Sequence, residues 1–269
     1  MSRPMGMRPI SALALALSLL ALPSAARSAA PGPAGIAVPA AFEHGSRSRK
    51  SIALTFDACT TRDPNPFDPR IPAVLEAMRV PATIFVGGGW AEEEPAELGA
   101  LARNPLFEIG NHTFSHPHLT RIPDAAIRAE LLQTQAVIAS ETGRVPSLFR
   151  PPYGEYDARV LRIAAALGLR TIEYDLPSGD PDAHATKQSL VDWVLREARP
   201  GSIIVMHINH RRFHTAEALP DIVDGLRARG FDLVTVSELL RAEPQRVSPL
   251  TAAHHGQPTS ATTHRHLAS

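Results

Sequence analysis

The stretch SIALTFDACTTRD, residues 51–63, is largely apolar as far as Phe56 and then turns polar. It reads as a buried strand opening into a loop, with Asp57 at its mouth and Ala58 and the only cysteine, Cys59, directly behind. Six runs of the same kind follow: ATIFV (82–86), FEIG (107–110), SLFR (147–150), TIEYD (171–175), SIIVMH (202–207) and DLVTV (232–236). Helical spacing lies between them, as in PDAAIRAELLQTQAVIAS (123–140), LVDWVLREA (190–198) and TAEALPDIVDGLRARG (215–230), the last closed by Gly230. Seven strand–helix units in succession predict an α/β fold whose parallel strands close, or nearly close, into a (β/α)7 barrel.

In such a barrel the carboxyl ends of the strands face one pocket. The residues that follow the strands are then Asp57, NHTFSHPH (111–118), RPPYG (150–154), DLPSGD (175–180), and His207 with Asn209 and His210. His112 and His116 are four apart, so on a helical turn their imidazoles would face the same way and could share a cation. His118 would face elsewhere. A catalytic zinc takes three protein ligands and keeps a position open for water, and Asp57 is the obvious third. Two prolines stiffen RPPYG, and Arg150 offers a fork of donors for a carboxylate, or else for loop carbonyls. His207, at the end of an apolar strand, suits a general acid.

Taken in order over residues 51 to about 240, TFDA, HTFSH, RPPYG, the acidic DLPSGD loop and VMH resemble the polysaccharide deacetylase family with its NodB homology domain, also grouped as carbohydrate esterase family 4. The resemblance implies a distorted (β/α)7 barrel, a divalent metal, usually zinc, and removal of N- or O-acetyl groups from a sugar polymer. Asp57 would take the proton of the attacking water, His112 and His116 would hold the metal, and the backbone N–H of Tyr153 would help stabilise the oxyanion. His207 would protonate the leaving amine, tuned by an acid that Arg150 orients. Asp180 is assigned that place, with Asp175 as its rival.

The sequence departs from the family at Ala58, where a second acid usually binds metal. Asp57 could turn to the metal, Asp63 or Asp68 could swing in, or two histidines could hold it weakly. Metal-free chemistry on small amides or imides is a further branch of the same fold. Asp68 precedes a helix and reads as its N-cap. Cys59 reads as a small buried residue, although a thiol can also ligate zinc or attack as a nucleophile. Trp90 and Tyr153 are the aromatics best placed to stack on a sugar. An inactive glycan-binding homologue is the third reading, with Ala58 as its support.

The remaining segments bound the protein's setting. Residues 1–28 carry two early arginines, an apolar run from Ile10 to Leu22 and small residues near Ala26 and Ser28, the pattern of a secretory signal peptide. That run is short of the ~20 residues of a spanning helix, so no stable membrane span is expected after its removal, and the protein is expected to be secreted or periplasmic. A Pro- and Gly-rich linker is expected over 29–50, the deacetylase domain over 51–242, and a disordered tail containing His254, His255, His264 and His266 over 243–269. The 27 basic groups balance the 27 acidic ones, which argues against a nucleic-acid partner. The expected partner is an acetylated glycan. A single cysteine permits no internal disulfide.

Overall fold

The computed structural model describes residues 39–61 and 66–241. The expected signal peptide, the first part of the linker, Asp63 and the tail lie outside the described residues. Within them, strands β1 (Ser51–Ala58), β2 (Ala82–Val86), β3 (Phe107–Asn111), β4 (Leu148–Phe149), β5 (Arg170–Thr171), β6 (Leu176–Pro177) and β7 (Ile203–His207) form one parallel sheet in the order β5-β4-β3-β2-β1-β7-β6. A short β8 (Asp232–Leu233) pairs with the start of β1. The sheet curls into the distorted (β/α)7 barrel expected from the alternation of strands and helices.

Strand β1 shows how the sequence builds this layer. Successive side chains of a strand point to opposite faces. Ile52, Leu54, Phe56 and Ala58 all join the apolar cluster beneath the helices, with Leu75, Val86, Trp90 and Leu219. Ala53 lies instead in the cluster that fills the barrel floor with Phe85, Leu148, Ile172 and Ile203. Thr55 and Asp57 share that inner face, so the barrel changes from apolar to polar toward its mouth.

Helices α1 (Arg70–Ala77), α2 (Gly88–Glu93), α3 (Pro95–Arg103), α4 (Asp124–Thr142), α5 (Ala158–Ala166), α6 (Lys187–Glu197), α7 (Thr215–Ala228) and α8 (Val236–Arg241) cover the sheet. Left-handed glycines follow two of the expected ones, Gly143 (φ 70°) after α4 and Gly230 (φ 77°) after α7. Helix α6 starts earlier than the apolar spacing suggests, because Thr186 and Ser189 form a reciprocal capping box. The expected strand 232–236 is cut short for the same reason. Glu238 accepts from Thr235 N at 2.8 Å, which turns the chain into α8.

The strand expected over 171–175 is also shorter. After Thr171 the chain pairs with Phe42, whose N–H donates to Thr171 O and whose carbonyl accepts from Glu173 N. Residues 42–45, expected as linker, are therefore bound to the sheet, with Gly45 N donating to Gly201 O at 2.8 Å. Among the described residues no helix is long and apolar enough to cross a membrane.

Candidate active site

Asp57 is 5% exposed and sits opposite His207 in the β1–β7 register. Its Oδ1 accepts from Arg150 Nη1 at 2.8 Å, and its Oδ2 lies 3.8 Å from His112 Nε2. Burial alone would raise this carboxyl's pKa, but the Arg150 guanidinium, with His112 and His207, holds it below the usual carboxylate range. Arg150 is fully buried, donates also to Thr55 Oγ1 at 2.8 Å and to Glu173 O at 3.3 Å, and lies 4.2 Å over the Phe85 ring. The expected partner of Arg150 is thereby corrected: it orients Asp57, and no hydrogen bond or ion pair joins it to Asp180 among the described residues.

His112 and His116 do converge, with ring centroids 5.0 Å apart, but no helical turn carries them. Thr113 (φ 64°) and His116 (φ 60°) both take left-handed backbone, and residues 112–118 form a loop that leads into a 3-10 turn at Leu119–Arg121 before α4. Three devices hold it. Asn111 Oδ1 accepts from Thr113 N while its amide donates to Leu131 O. Glu130 of α4 accepts from the N–H groups of Phe114 and Ser115 and from the Ser115 hydroxyl. Gly88 and Gly89 donate to the carbonyls of Thr113 and Phe114, at a distance where a Cβ on Gly88 would strike Phe114. His112 Nδ1 donates to Arg150 O at 2.8 Å, which leaves Nε2 as the ring nitrogen facing the pocket. Although burial would lower the pKa of His112, the Asp57 carboxylate holds it above its usual range.

Cys59 lies beside these imidazoles. Its Sγ is 3.7 Å from His112 Nε2, and one donor atom each from Cys59, His112 and His116 fall within 4.8 Å of one another. Burial would raise the thiol, yet hydrogen bonds from His112, His116 and His207 bring it well below its ordinary value. The backbone of Cys59 is gripped on both sides by the buried Asn209, which accepts from its N–H at 3.2 Å and donates to its carbonyl at 2.7 Å. A thiol and two imidazoles, one with its tautomer fixed, form a donor set that could hold a divalent ion. Asp57, the expected third ligand, is not in this cluster. Nor is Asp68, which is bound to Arg70 and accepts from its backbone N–H at 3.1 Å, while the N-cap of α1 is Pro69 and not Asp68 as expected. Cys59 is buried as expected, though among imidazoles rather than in the apolar core.

His207 Nδ1 meets Asp180 Oδ1 at 3.0 Å. Burial would depress this imidazole, and the Asp180 carboxylate instead raises it well above its usual range. Asp180 is fixed in turn by Ser178 Oγ, Thr215 Oγ1 and His207 N. Its rival Asp175 binds Arg47, Ser202 and Ile203 N at the opposite end of β7. Tyr153 takes φ 61° after the two prolines; its ring is 53% exposed, stacks on His118 at 4.1 Å and meets the His116 ring edge-on. Trp90 is corrected: at 3% exposure it packs against Phe67 and presents no face to a sugar. Glu130 and Thr215 escaped the sequence reading because they lie on helices far along the chain from what they hold. Asn209 stood among the strand-end residues without a role.

The family model described as "Polysaccharide deacetylase" matches residues 44–172. The peptidoglycan-N-acetylmuramic acid deacetylase PdaA of Bacillus subtilis (strain 168) is 30% identical over 213 residues, covering 78% of this chain and 79% of that protein. A chitooligosaccharide deacetylase of Rhizobium leguminosarum bv. trifolii is 33% identical over 205 residues, covering 71% and 93% respectively. Among solved structures, a CE4 family pseudoenzyme from Bacillus anthracis superposes with a TM-score of 0.70 at 28% identity, covering 76% of this chain and 70% of that one. With these matches, and with its motif residues gathered at one barrel mouth, the chain belongs to the polysaccharide deacetylase family.

Proposed function

We propose that this protein is an exported, metal-dependent hydrolase that removes acetyl groups from an N-acetylated polysaccharide of the cell envelope. The observation that carries the reading is the placement, at one barrel mouth, of a carboxylate kept ionised by Arg150 and an imidazole kept protonated by Asp180, with the donor cluster beside them. Names of the relatives support the substrate class, since they act on peptidoglycan and chitooligosaccharide. The leader expected over 1–28 supports export.

His112 and His116 would hold the cation together with a donor from the tip of β1. When bound, such an ion supplies charge to polarise the acetyl carbonyl and to make water a better nucleophile, zinc being the ion that the family usually takes. The chain's own groups do the proton work. Asp57, whose Oδ1 is pinned by Arg150, keeps Oδ2 toward His112 and takes the proton of the attacking water. His207 gives its proton to the departing nitrogen as the C–N bond breaks, leaving acetate and a free amine. The Tyr153 N–H, in the rigid turn after Pro152, donates to the oxygen that gains charge in the transition state. The Tyr153–His118 stack at the rim offers a flat face for a sugar ring.

Acetate release from N-acetylated peptidoglycan and from chitooligosaccharides tests the reading. Wild type should release acetate, lose the activity to a chelator and regain it with zinc, while Asp57→Asn should lower kcat by about 100-fold or more. Ala58 and the pseudoenzyme relative favour a second reading, a glycan-binding homologue without activity. That reading gains if no glycan yields acetate and Asp57→Asn binds glycan as wild type does. Acetate or ammonia from small amides or imides alone would move the function to the metal-free branch.

A further inference from the structure

We propose that Cys59 is the third metal ligand of this protein and takes over the task left vacant at position 58, making the site one thiolate and two imidazoles suited to zinc-class ions. This rests on the metal-dependent reading above only in assuming that His112 and His116 hold a cation.

The strand pleat supplies the first reason. Ala58 is packed with Leu54 and Phe56 under the helices, whereas Ala53, Thr55 and Asp57 point into the barrel. The next residue on the inner face is 59, and there the chain places its only thiol. The second reason is distance. Two donors bound tetrahedrally at about 2.3 Å for sulfur and about 2.05 Å for nitrogen stand roughly 3.6 Å apart. Cys59 Sγ and His112 Nε2 are 3.7 Å apart, a separation that matches two donors sharing one ion, and His116 offers its donor within 4.8 Å of both.

The third reason is fixation. Past the end of β1 a residue has no ladder to hold it, yet Asn209 binds both the N–H and the carbonyl of Cys59. A thiol that merely filled space would need no such grip, and a ligand does. Asp57 is unsuited to the same task, because Arg150 holds Oδ1 and turns the carboxylate toward the proton-transfer position. On binding, the S–H bond is exchanged for a sulfur–metal bond and the proton passes to solvent. A sulfur donor favours zinc and cobalt over the hard ions magnesium, manganese and calcium.

Cobalt(II) titration of the metal-free protein reads the ligand directly, without turnover. Wild type is expected to bind one equivalent and to show an intense sulfur-to-cobalt charge-transfer band in the near ultraviolet, which zinc abolishes and excess magnesium does not. Cys59→Ser, nearly isosteric, should lose the band and weaken binding by about 100-fold or more, with its circular dichroism unchanged. Ala58→Asp should keep the band at full strength, and in a Cys59→Ser background should restore no affinity. Cobalt bound without the band, Cys59→Ser binding as tightly as wild type, or Ala58→Asp rescuing Cys59→Ser would each overturn the proposal. The two readings part cleanly: a band without acetate release from any glycan supports Cys59 and sinks the deacetylase, while zinc-dependent release with no band does the reverse.

Discussion

His207 is a half-buried imidazole at a strand end, and the Asp180 carboxylate favours its protonated form where burial alone would favour the neutral one. In the proposed role of general acid His207 must carry its proton, so its raised pKa would set the alkaline limit of activity. Asp180→Asn removes the charge while keeping the shape. The alkaline limb of kcat should then move to lower pH, and kcat at neutral pH should fall by about 100-fold. Titration of the His207 ring by NMR in the metal-free variant checks the cause; a ring that titrates where the wild-type ring does would refute it. Asp57, His112, His116, Arg150 and His207 were legible in the sequence because each follows an apolar run, and strand ends of a barrel converge, whereas Asp180 came from the family resemblance alone. Cys59 was read first as a small buried residue, with ligation or attack as its alternatives, since the residue after a strand can leave on either face and its grip by Asn209 lies 150 residues on.

The loop between β3 and α4 shows how an element can be placed correctly for a mistaken reason. Spacing of four suggested a helical turn, but the imidazoles meet because left-handed backbone at Thr113 and His116 folds the loop on itself. Glu130 and the glycines after β2 then hold that shape from both sides. A Cβ at position 88 would stand 2.5 Å from Phe114 Cδ2 and 2.8 Å from Thr134 Oγ1. Gly88→Ala should accordingly push the loop outward, lowering stability by about 1–3 kcal/mol and loosening metal binding as well. Denaturant unfolding with and without zinc measures both effects. If the variant unfolds like wild type and binds metal equally, the close packing is not what shapes the loop. No spacing rule reveals this, because the glycines act on a segment some 25 residues further along the chain.

For the molecule as a whole, seven alternating strands and helices announced the barrel, while the seal by Phe42 was hidden in a stretch with linker composition. The barrel interior also stores a charge conflict. Glu173 is 5% exposed, its Oε1 has no hydrogen-bond partner among the described residues, and burial, countered by Arg150 but aggravated by Asp57 and Glu43, pushes it up to about 8. With a folded pKa above the unfolded value, the native state holds a proton that the unfolded chain gives up near pH 4.5. Stability therefore falls as pH rises from there to about 8, by at most about 1.4 kcal/mol per pH unit. Glu173→Gln should melt higher than wild type, with a margin that widens from pH 5 to about 8; a margin constant across that range would exclude this origin.

Arg150 gives the molecule a different kind of constraint. Its side chain is the largest of those fully buried among the described residues, and its guanidinium is anchored by the same carboxylate that the proposed chemistry uses. Loss of that anion would strand a cation in the centre of the barrel, at a cost of about 3–5 kcal/mol. An apolar swap of both partners could relieve the burden and sometimes even toughen a protein. Catalytic retirement would thus open a route to a sturdier barrel, while keeping Asp57 in place ties the stability of the fold to its anion.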